Sequence, residues 1–160
     1  MALALATAVI AVLGTLLGSV VTGRFQERAA DRTERETRRR NERSEQLAAI
    51  TGLAEAVSAH RSMMWRRGDA KFRGDDDRHQ ELRIRSHETR AAVTAPLVAL
   101  RLLVTDPELR AAADRMVDTT FGMRHQDADA DTLNTARVAA LTAHDAFVDA
   151  AARYMQAQAA

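Results

Sequence analysis

The stretch AAVTAPLVALRLLVTDPELRAAADRMV, residues 91–117, decides how the folded part of this chain is built. Its first half is apolar nearly all round and contains Pro96, which lacks a backbone N–H and usually kinks a helix. Asp106, Pro107 and Glu108 then predict a helix start, with an N-cap, a proline at the first helical position and an acid in the first turn. We therefore expect a kinked helix over residues 77–104, its later half the most buried part of the fold, and another helix from residue 107.

Apolar residues at helical spacing continue on both sides of this stretch. They predict a first helix that ends near Trp65, a break marked by Gly68 and Gly74, a third helix that ends near His125, and a fourth helix after residues 127–131. The residues predicted to face inward are, helix by helix, Leu47, Ile50, Leu53, Val57 and Met64; Leu82, Val93, Leu97, Leu100 and Leu103; Leu109, Ala113, Met116, Val117 and Phe121; and Leu133, Leu141, Val148, Ala151 and Met155. Short connections between four helices predict an antiparallel four-helix bundle over residues 47–157.

Composition supports an all-α fold for this part of the chain. Aromatic residues make up 4% of the 160 residues, so the core must be packed largely with small side chains such as alanine. With 2 prolines, 7 glycines and no run of alternating β-branched residues, we expect no strands. The absence of cysteine excludes disulfides and thiolate metal sites.

The N-terminal run ALALATAVIAVLGTLLGSVV, residues 2–21, carries no charge and predicts a transmembrane anchor over residues 2–23. Twenty helical residues extend about 30 Å, which matches the hydrocarbon core of a bilayer. A cleaved signal peptide is the alternative, because Thr22 and Gly23 could satisfy a lax cleavage rule, but the basic region that precedes such peptides is absent. The arginines after the run predict an outside N-terminus and a cytoplasmic bulk at the cell membrane.

Residues 24–46 are charged or small apart from Phe25 and predict a solvated stem helix. Acid-to-base pairs four residues apart support it, namely Asp31 with Arg35, Glu34 with Arg38 and Glu36 with Arg40. Six arginines fall on one helical arc: Arg24, Arg28, Arg32, Arg35, Arg39 and Arg43. The arc could be an inert solvated face, or its first members Arg24, Arg28 and Arg32 could contact anionic lipid headgroups. DNA contact is the weaker alternative, since no aromatic residues are interleaved.

Within the anchor, small residues recur at four-residue spacing. Gly14 and Gly18 form a GxxxG pattern, and Ser19 with Gly23 repeats it. Such rows allow two membrane helices to approach closely, so a homodimer through the anchor is one expectation.

No pattern in the chain indicates catalysis, a cofactor or a metal. Asp127, Asp129 and Asp131 imitate a calcium loop, but the required glycine and final glutamate are missing, so helix capping explains them better. Glu-x-x-His repeats for a di-iron site do not occur. His60 and His144 lie on apolar stripes, which is more typical of hydrogen-bonded core residues than of ligands. Packing at a helix end is the default role of Trp65; with Met63 and Met64 it is also a candidate partner contact.

The whole layout resembles a family. GTLLGS in the anchor, the arginine-rich stem, HRSMMWRR, SHETRAAVTAPLVALRLLVTDPELRAAAD and ALTAHDAFVDAAARY together are similar to the KilB-like small membrane proteins of actinobacteria, over most of the chain. The resemblance implies a role in conjugative plasmid transfer or spread. It carries over no catalytic residue.

We therefore expect a non-enzymatic, single-pass membrane protein whose bundle contacts other membrane or transfer-machinery proteins. One alternative is a membrane-tethered sensory bundle, which a polar pocket of converging His60, His87 and His144 would favour. Another is DNA contact by the stem, although we do not expect nucleic acid as a partner. An alanine-packed interior with an exposed apolar patch around residues 63–65 would favour the interaction role.

Overall fold

The computed structural model describes residues 2–125 and 128–158, with side chains described from residue 31 onward. Every regular element in these ranges is helical: α1 covers Ala2–Phe72, α2 Asp76–Ala92, α3 Thr94–Leu103, α4 Pro107–Gly122 and α5 Ala130–Ala157, with a short 3-10 turn at Met123–His125. The predicted all-α fold class is therefore confirmed for the described residues.

The chain divides into two compact units, Met1–Arg43 and Ser44–Ala160. In the first unit, all side chains from residue 31 to residue 43 are exposed. Two of the three predicted ion pairs form, Arg38 with Glu34 and Arg40 with Glu36, the latter at 3.9 Å. Exposed pairs of this kind contribute only a few tenths of a kcal/mol each to helix stability, roughly 0.3–0.5. The described part of the stem, residues 31–43, is thus solvated, while the predicted limits of the stem at residues 24 and 46 stay a prediction.

The predicted membrane anchor, residues 2–23, lies outside the residues whose side chains are described. Among the residues that are described in full, no helix has a stretch long and apolar enough to cross a membrane.

The first helix of the second unit continues to Phe72, past the end predicted near Trp65. Gly68, predicted to mark a break, lies inside α1 and serves close packing instead. A Cβ at this position would lie 2.2 Å from Cδ2 of Leu133 on α5. The glycine therefore allows the two helices to approach.

The break falls at Gly74, which has a φ of 70° and so adopts a conformation that favours glycine. The N–H of Gly74 donates to the carbonyl of Lys71 at 3.2 Å, and the N–H of Asp75 donates to that of Ala70 at 3.0 Å. These two bonds satisfy carbonyls at the end of α1 in the arrangement of a Schellman motif.

The single kinked helix predicted over residues 77–104 is two helices. α2 ends at Ala92 and α3 begins at Thr94, with Val93 between them. Pro96 explains the position of the break, because a proline ring clashes with the carbonyl four residues earlier, here that of Ala92. A proline is tolerated in the first turn of a helix, so the chain can resume helical structure around Pro96.

Aspartates cap the starts of three helices. Asp106 caps α4, which begins at Pro107 as predicted, and Asp129 rather than a calcium ligand set explains the acidic segment before α5. Asp127 of that segment lies outside the described residues. Each cap accepts a hydrogen bond from a backbone N–H three residues later: Asp75 from Arg78 at 3.0 Å, Asp106 from Leu109 at 2.7 Å, and Asp129 from Thr132 at 2.7 Å.

The helices of the second unit run alternately up and down when α2 and α3 are counted as one broken helix. Side-chain contacts between neighbours pair residues in opposite chain directions: Gln46 with Leu103 and Arg67 with His79; Arg101 with Asp114 and Arg90 with Phe121; Glu108 with Arg153 and Met123 with Leu133. This is the predicted antiparallel arrangement of four helices.

The core lies where the four helices meet. Its largest fully buried side chains include Leu53, Leu100, Met116 and Phe147, and seven of its buried residues are alanines: Ala49, Ala70, Ala112, Ala113, Ala140, Ala150 and Ala151. Most predicted inward residues are buried or half-buried, but Leu47 is 48% and Val148 is 45% exposed. On α5 the buried residues are Leu133, Ala140, Phe147, Ala150 and Ala151. Leu133 and Ala151 are therefore buried as predicted, whereas the residues buried in the middle of the helix precede the predicted Leu141 and Val148 by one position.

Candidate functional site

The three residues predicted to contact a partner differ in accessibility. Met63 packs with Ala70 and Leu82, and Met64 packs with Met123, Leu133 and Ala140; both methionines are buried. Trp65 is half-buried, and the guanidinium of Arg137 lies 4.6 Å from its ring centroid. Of the three side chains, only Trp65 presents surface that a partner could reach without opening the bundle.

His60 is a core residue with satisfied contacts. It is 3% exposed, and a hydrogen bond of 2.9 Å joins its Nδ1 to the hydroxyl of Thr89. The centroid of its ring lies 5.3 Å from that of Phe121, and the two rings meet edge-on. The guanidinium of Arg90 lies over the Phe121 ring, 3.7 Å from its centroid. Burial first, and then the positive charges of Arg90 and Arg67, lower the pKa of His60 to about 4. The imidazole is therefore neutral near pH 7.

His87 and His144, which the sensor alternative would bring together with His60, do not form a polar pocket with it. His87 is exposed on α2, and His144 is partly exposed on α5 with its Nδ1 3.7 Å from a carboxylate oxygen of Asp145. Among residues 31–125 and 128–158, no group of three or more His, Asp and Glu side chains could hold a metal ion. The arrangement that would have favoured a histidine-based sensor is not found in the described part of the chain.

The helix α3 carries an apolar surface that the sequence interpretation placed in the core. Leu100 is fully buried as predicted, but Val98 is 49% and Leu102 is 78% exposed. The expectation that this stretch is the most buried part of the bundle is thus wrong for one side of α3. A short helix that is apolar nearly all round can bury only the side that faces its neighbours, so the other side remains in solvent.

Beside this surface lies an open groove between α1 and α3, which we call the α1/α3 groove. Its volume is about 460 Å³, and its lining is Glu45, Ala48, Ala49, Ala95, Pro96, Ala99 and Leu103. Small side chains on both walls leave the groove open, and the Cβ of Pro96 lies 3.7 Å from the place where a Cβ of Gly52 would be. Glu45 supplies the one charged side chain of the lining. The groove can therefore accept an apolar ridge from outside the bundle.

The stem contributes a second candidate surface. Arg32 of the predicted lipid contacts is exposed, whereas Arg24 and Arg28 lie outside the residues whose side chains are described. The same holds for Gly14, Gly18, Ser19 and Gly23 of the predicted self-association row. Within the described part of the stem, Arg32, Arg35 and Arg39 form no ion pair, while Arg38 and Arg40 do. The arc predicted to meet anions thus keeps three arginines that no carboxylate neutralises.

Comparison with known proteins bears on what these surfaces serve. The chain is 37% identical over 148 residues to protein KilB of Streptomyces lividans, a match that covers 92% of this chain and 96% of that protein. No solved structure matches the chain. The family model described as KilB plasmid transfer protein, a description that names no enzymatic activity, matches residues 47–155. This chain belongs to the KilB plasmid transfer protein family.

Proposed function

We propose that this protein is a non-enzymatic, single-pass membrane protein whose helical bundle binds another protein of a plasmid transfer apparatus through the α1/α3 groove. The observation that carries the proposal is the exposure of Val98 and Leu102 beside that groove. Family membership supports the process, and the alanine-packed interior supports a bundle that acts through its surface rather than through an internal ligand site.

The exposed side chains are costly unless something covers them. Leu102 alone is 78% exposed, and full burial of a leucine contributes about 1.5–3 kcal/mol. The groove lies between two neighbouring helices of opposite direction, and an added helix can place its ridge of side chains between them. An amphipathic helix that binds in a groove is a common mode of peptide recognition.

The occupant we propose is therefore an amphipathic helix of a partner protein. Its apolar residues would recur at three- and four-residue spacing, to lie on Ala95, Val98 and Leu102. A lysine or arginine at the edge of its apolar face would meet the exposed Glu45, the charged group of the groove lining.

The experiment compares three aspartate variants of the full-length protein in neutral detergent. Leu102→Asp and Val98→Asp place a charge on the proposed surface, whereas Ile84→Asp is the matched control, because Ile84 is 58% exposed on α2 and outside the groove lining. The probe is a set of synthetic peptides that cover the amphipathic helices of the proteins encoded beside this gene. We expect a peptide that binds the wild type and Ile84→Asp but binds the two groove variants at least tenfold more weakly, about 1.4 kcal/mol.

Two results would contradict the proposal. One is equal binding by all four proteins, each shown to be folded by its thermal melt. The other is a self-associated protein whose dimer is lost in Leu102→Asp, which would make a second copy the occupant.

The membrane part of the proposal rests on the apolar N-terminal run and on the arginine arc of the stem, of which Arg32, Arg35 and Arg39 form no ion pair in the described part. We propose that the anchor is retained, that the bundle is cytoplasmic, and that Arg24, Arg28 and Arg32 meet anionic headgroups. Each arginine near the surface contributes on the order of 1 kcal/mol, and the attraction fades within a Debye length of about 8 Å at physiological salt. Only the first turns of the stem can benefit from it.

A stem peptide without the anchor tests this arrangement. Arg24→Gln, Arg28→Gln and Arg32→Gln together should weaken its binding to anionic vesicles, while Arg39→Gln with Arg43→Gln should matter much less. Binding to duplex DNA alone, with affinity that falls steeply with salt, would refute the lipid contact. An active periplasmic-type reporter at the C-terminus of the full chain would refute the orientation.

A further inference from the structure

A small polar pocket between α1 and α5 gathers three arginines. It has a volume of about 200 Å³ and is lined by Arg61, Ser62, Trp65 and Arg66 of α1 and by Arg137 and Leu141 of α5. We call it the arginine pocket. It lies outside the α1/α3 groove and plays no part in the function proposed above.

Arg61, on the α1 wall of the pocket, has a hydrogen-bond donor without an acceptor. Its Nη2 donates to the hydroxyl of Ser58 at 3.0 Å, while its Nη1 is buried and has no hydrogen-bond partner. A buried donor without a partner is unfavourable, and more so when the group is charged. An anion in the pocket would supply the missing acceptor once the Arg61 side chain turns to expose this nitrogen.

Charged groups act on Arg61 in opposite directions. Burial lowers its pKa most, the carboxylate of Asp145 raises it, and the positive charge of Arg137 lowers it by less than Asp145 raises it. Asp145 is itself exposed and lies near His144, and no ion pair joins it to any of the three pocket arginines in the described structure. The guanidinium of Arg137 is held over the ring of Trp65, and Arg66 makes no ion pair among the described residues. The lining of the pocket thus contains three guanidinium groups and no carboxylate, although Asp145 acts on Arg61 from nearby.

We propose that the arginine pocket binds a phosphate group. Guanidinium groups match the geometry of phosphate and donate two parallel hydrogen bonds to it, and three of them line this pocket. The pocket is smaller than the roughly 300–1,000 Å³ that drug-sized ligands occupy, so it fits the phosphate itself with any attached group left in solvent. Free inorganic phosphate and the phosphate of a small ester share this chemistry.

Trp65 makes the proposal directly measurable, because it is the single tryptophan of the chain and lines the pocket. We would titrate the full-length protein in neutral detergent with inorganic phosphate, at ionic strength held constant with sodium chloride, and follow tryptophan fluorescence. A second titration with glycerol 3-phosphate distinguishes an ester from the free ion. We expect a saturable change and a melting temperature that rises with phosphate.

Three variants separate a built site from a general effect of charge. Arg66→Gln removes an exposed pocket arginine with little risk to packing, and Arg137→Gln removes the stacked one. Arg115→Gln, an exposed arginine on α4 outside the pocket, is the matched control. Each pocket variant should bind phosphate at least tenfold more weakly, a change of about 1.4 kcal/mol, while the control should bind as the wild type does.

The proposal is overturned if neither phosphate compound produces a saturable change, or if chloride alone produces the same one. Equal binding by Arg66→Gln and Arg115→Gln would also overturn it, because the anion would then bind wherever positive charge is available. These outcomes leave the partner-binding proposal untouched, since that proposal depends on Leu102 and not on the arginine pocket.

Discussion

Replacing Gly68 by alanine tests whether this glycine exists to let two helices approach. A Cβ at residue 68 would lie 2.2 Å from Cδ2, 3.4 Å from Cγ and 3.5 Å from Cδ1 of Leu133. Leu133 is 1% exposed and packs with Met64, Met123 and Ala140, so its side chain cannot rotate away without disturbing that cluster. We expect Gly68→Ala to destabilise the bundle.

The magnitude follows from two opposing terms. Overpacking in a well-filled core costs about 1–3 kcal/mol. Alanine in the interior of a helix is more favourable than glycine by about 1 kcal/mol, which offsets part of that cost. The net expectation for Gly68→Ala is a loss of up to about 2 kcal/mol of unfolding free energy.

Gly52 offers a matched control in the same helix. An added Cβ there would lie 3.7 Å from the Cβ of Pro96, an ordinary contact, so only the gain in helix propensity remains. Gly52→Ala should therefore raise the unfolding free energy by about 0.5–1 kcal/mol. The unfolding free energy of Gly52→Ala should therefore exceed that of Gly68→Ala by about 1–3 kcal/mol, the cost of overpacking at residue 68.

Urea unfolding followed by far-UV circular dichroism measures both free energies. The Gly68→Ala variant combined with Leu133→Ala provides a further check, because removing the leucine branch should relieve the clash and make the two changes non-additive. If Gly68→Ala stabilises the protein as much as Gly52→Ala does, the close approach of α1 and α5 is not what requires this glycine.

Three further expectations concern the bundle. Residues 44–158 expressed alone should melt cooperatively with strongly helical circular dichroism, because the core and the caps lie within them; disorder or strand content would contradict the bundle. Because the pKa of His60 is about 4 in the folded protein against about 6.5 unfolded, the unfolded state binds more protons between these values. Lowering the pH from about 7.5 to about 5.5 should therefore lower the unfolding free energy by about 1.3 kcal/mol, and His60→Gln should lack this dependence on pH. If urea unfolding gives the same pH dependence for both proteins, this expectation is refuted. Phe147→Ala should lose about 3–5 kcal/mol of unfolding free energy and Val148→Ala at most about 0.5, because Phe147 is fully buried and Val148 is 45% exposed; similar losses would show that the helix phase is wrong.

Local chemistry was readable from the sequence. Asp106 before Pro107 predicts the start of α4 to the residue, and the acidic segment before α5 is predicted to cap that helix. Each of these features depends on a side chain and a backbone N–H three residues away, so no distant part of the chain is needed to predict it. The apolar periodicity likewise sufficed for four antiparallel helices, and the family resemblance followed from the same stretches.

The features that the sequence could not predict are those that depend on which helices pack against each other. Val98 and Leu102 look as buried as Leu100 by composition, and only the packing of α3 on one side leaves them in solvent. Gly68 is predicted from the sequence to mark a break, whereas in the structure it lies inside α1 and allows Leu133 to pack against that helix. The arginine pocket joins Arg61 to Arg137, which are far apart in the chain, and no local spacing relates them. Caps and amphipathic stripes are properties of one helix and can be read from its own residues, whereas grooves, close approaches and charge clusters form between helices and exist only once the tertiary structure has brought those helices together.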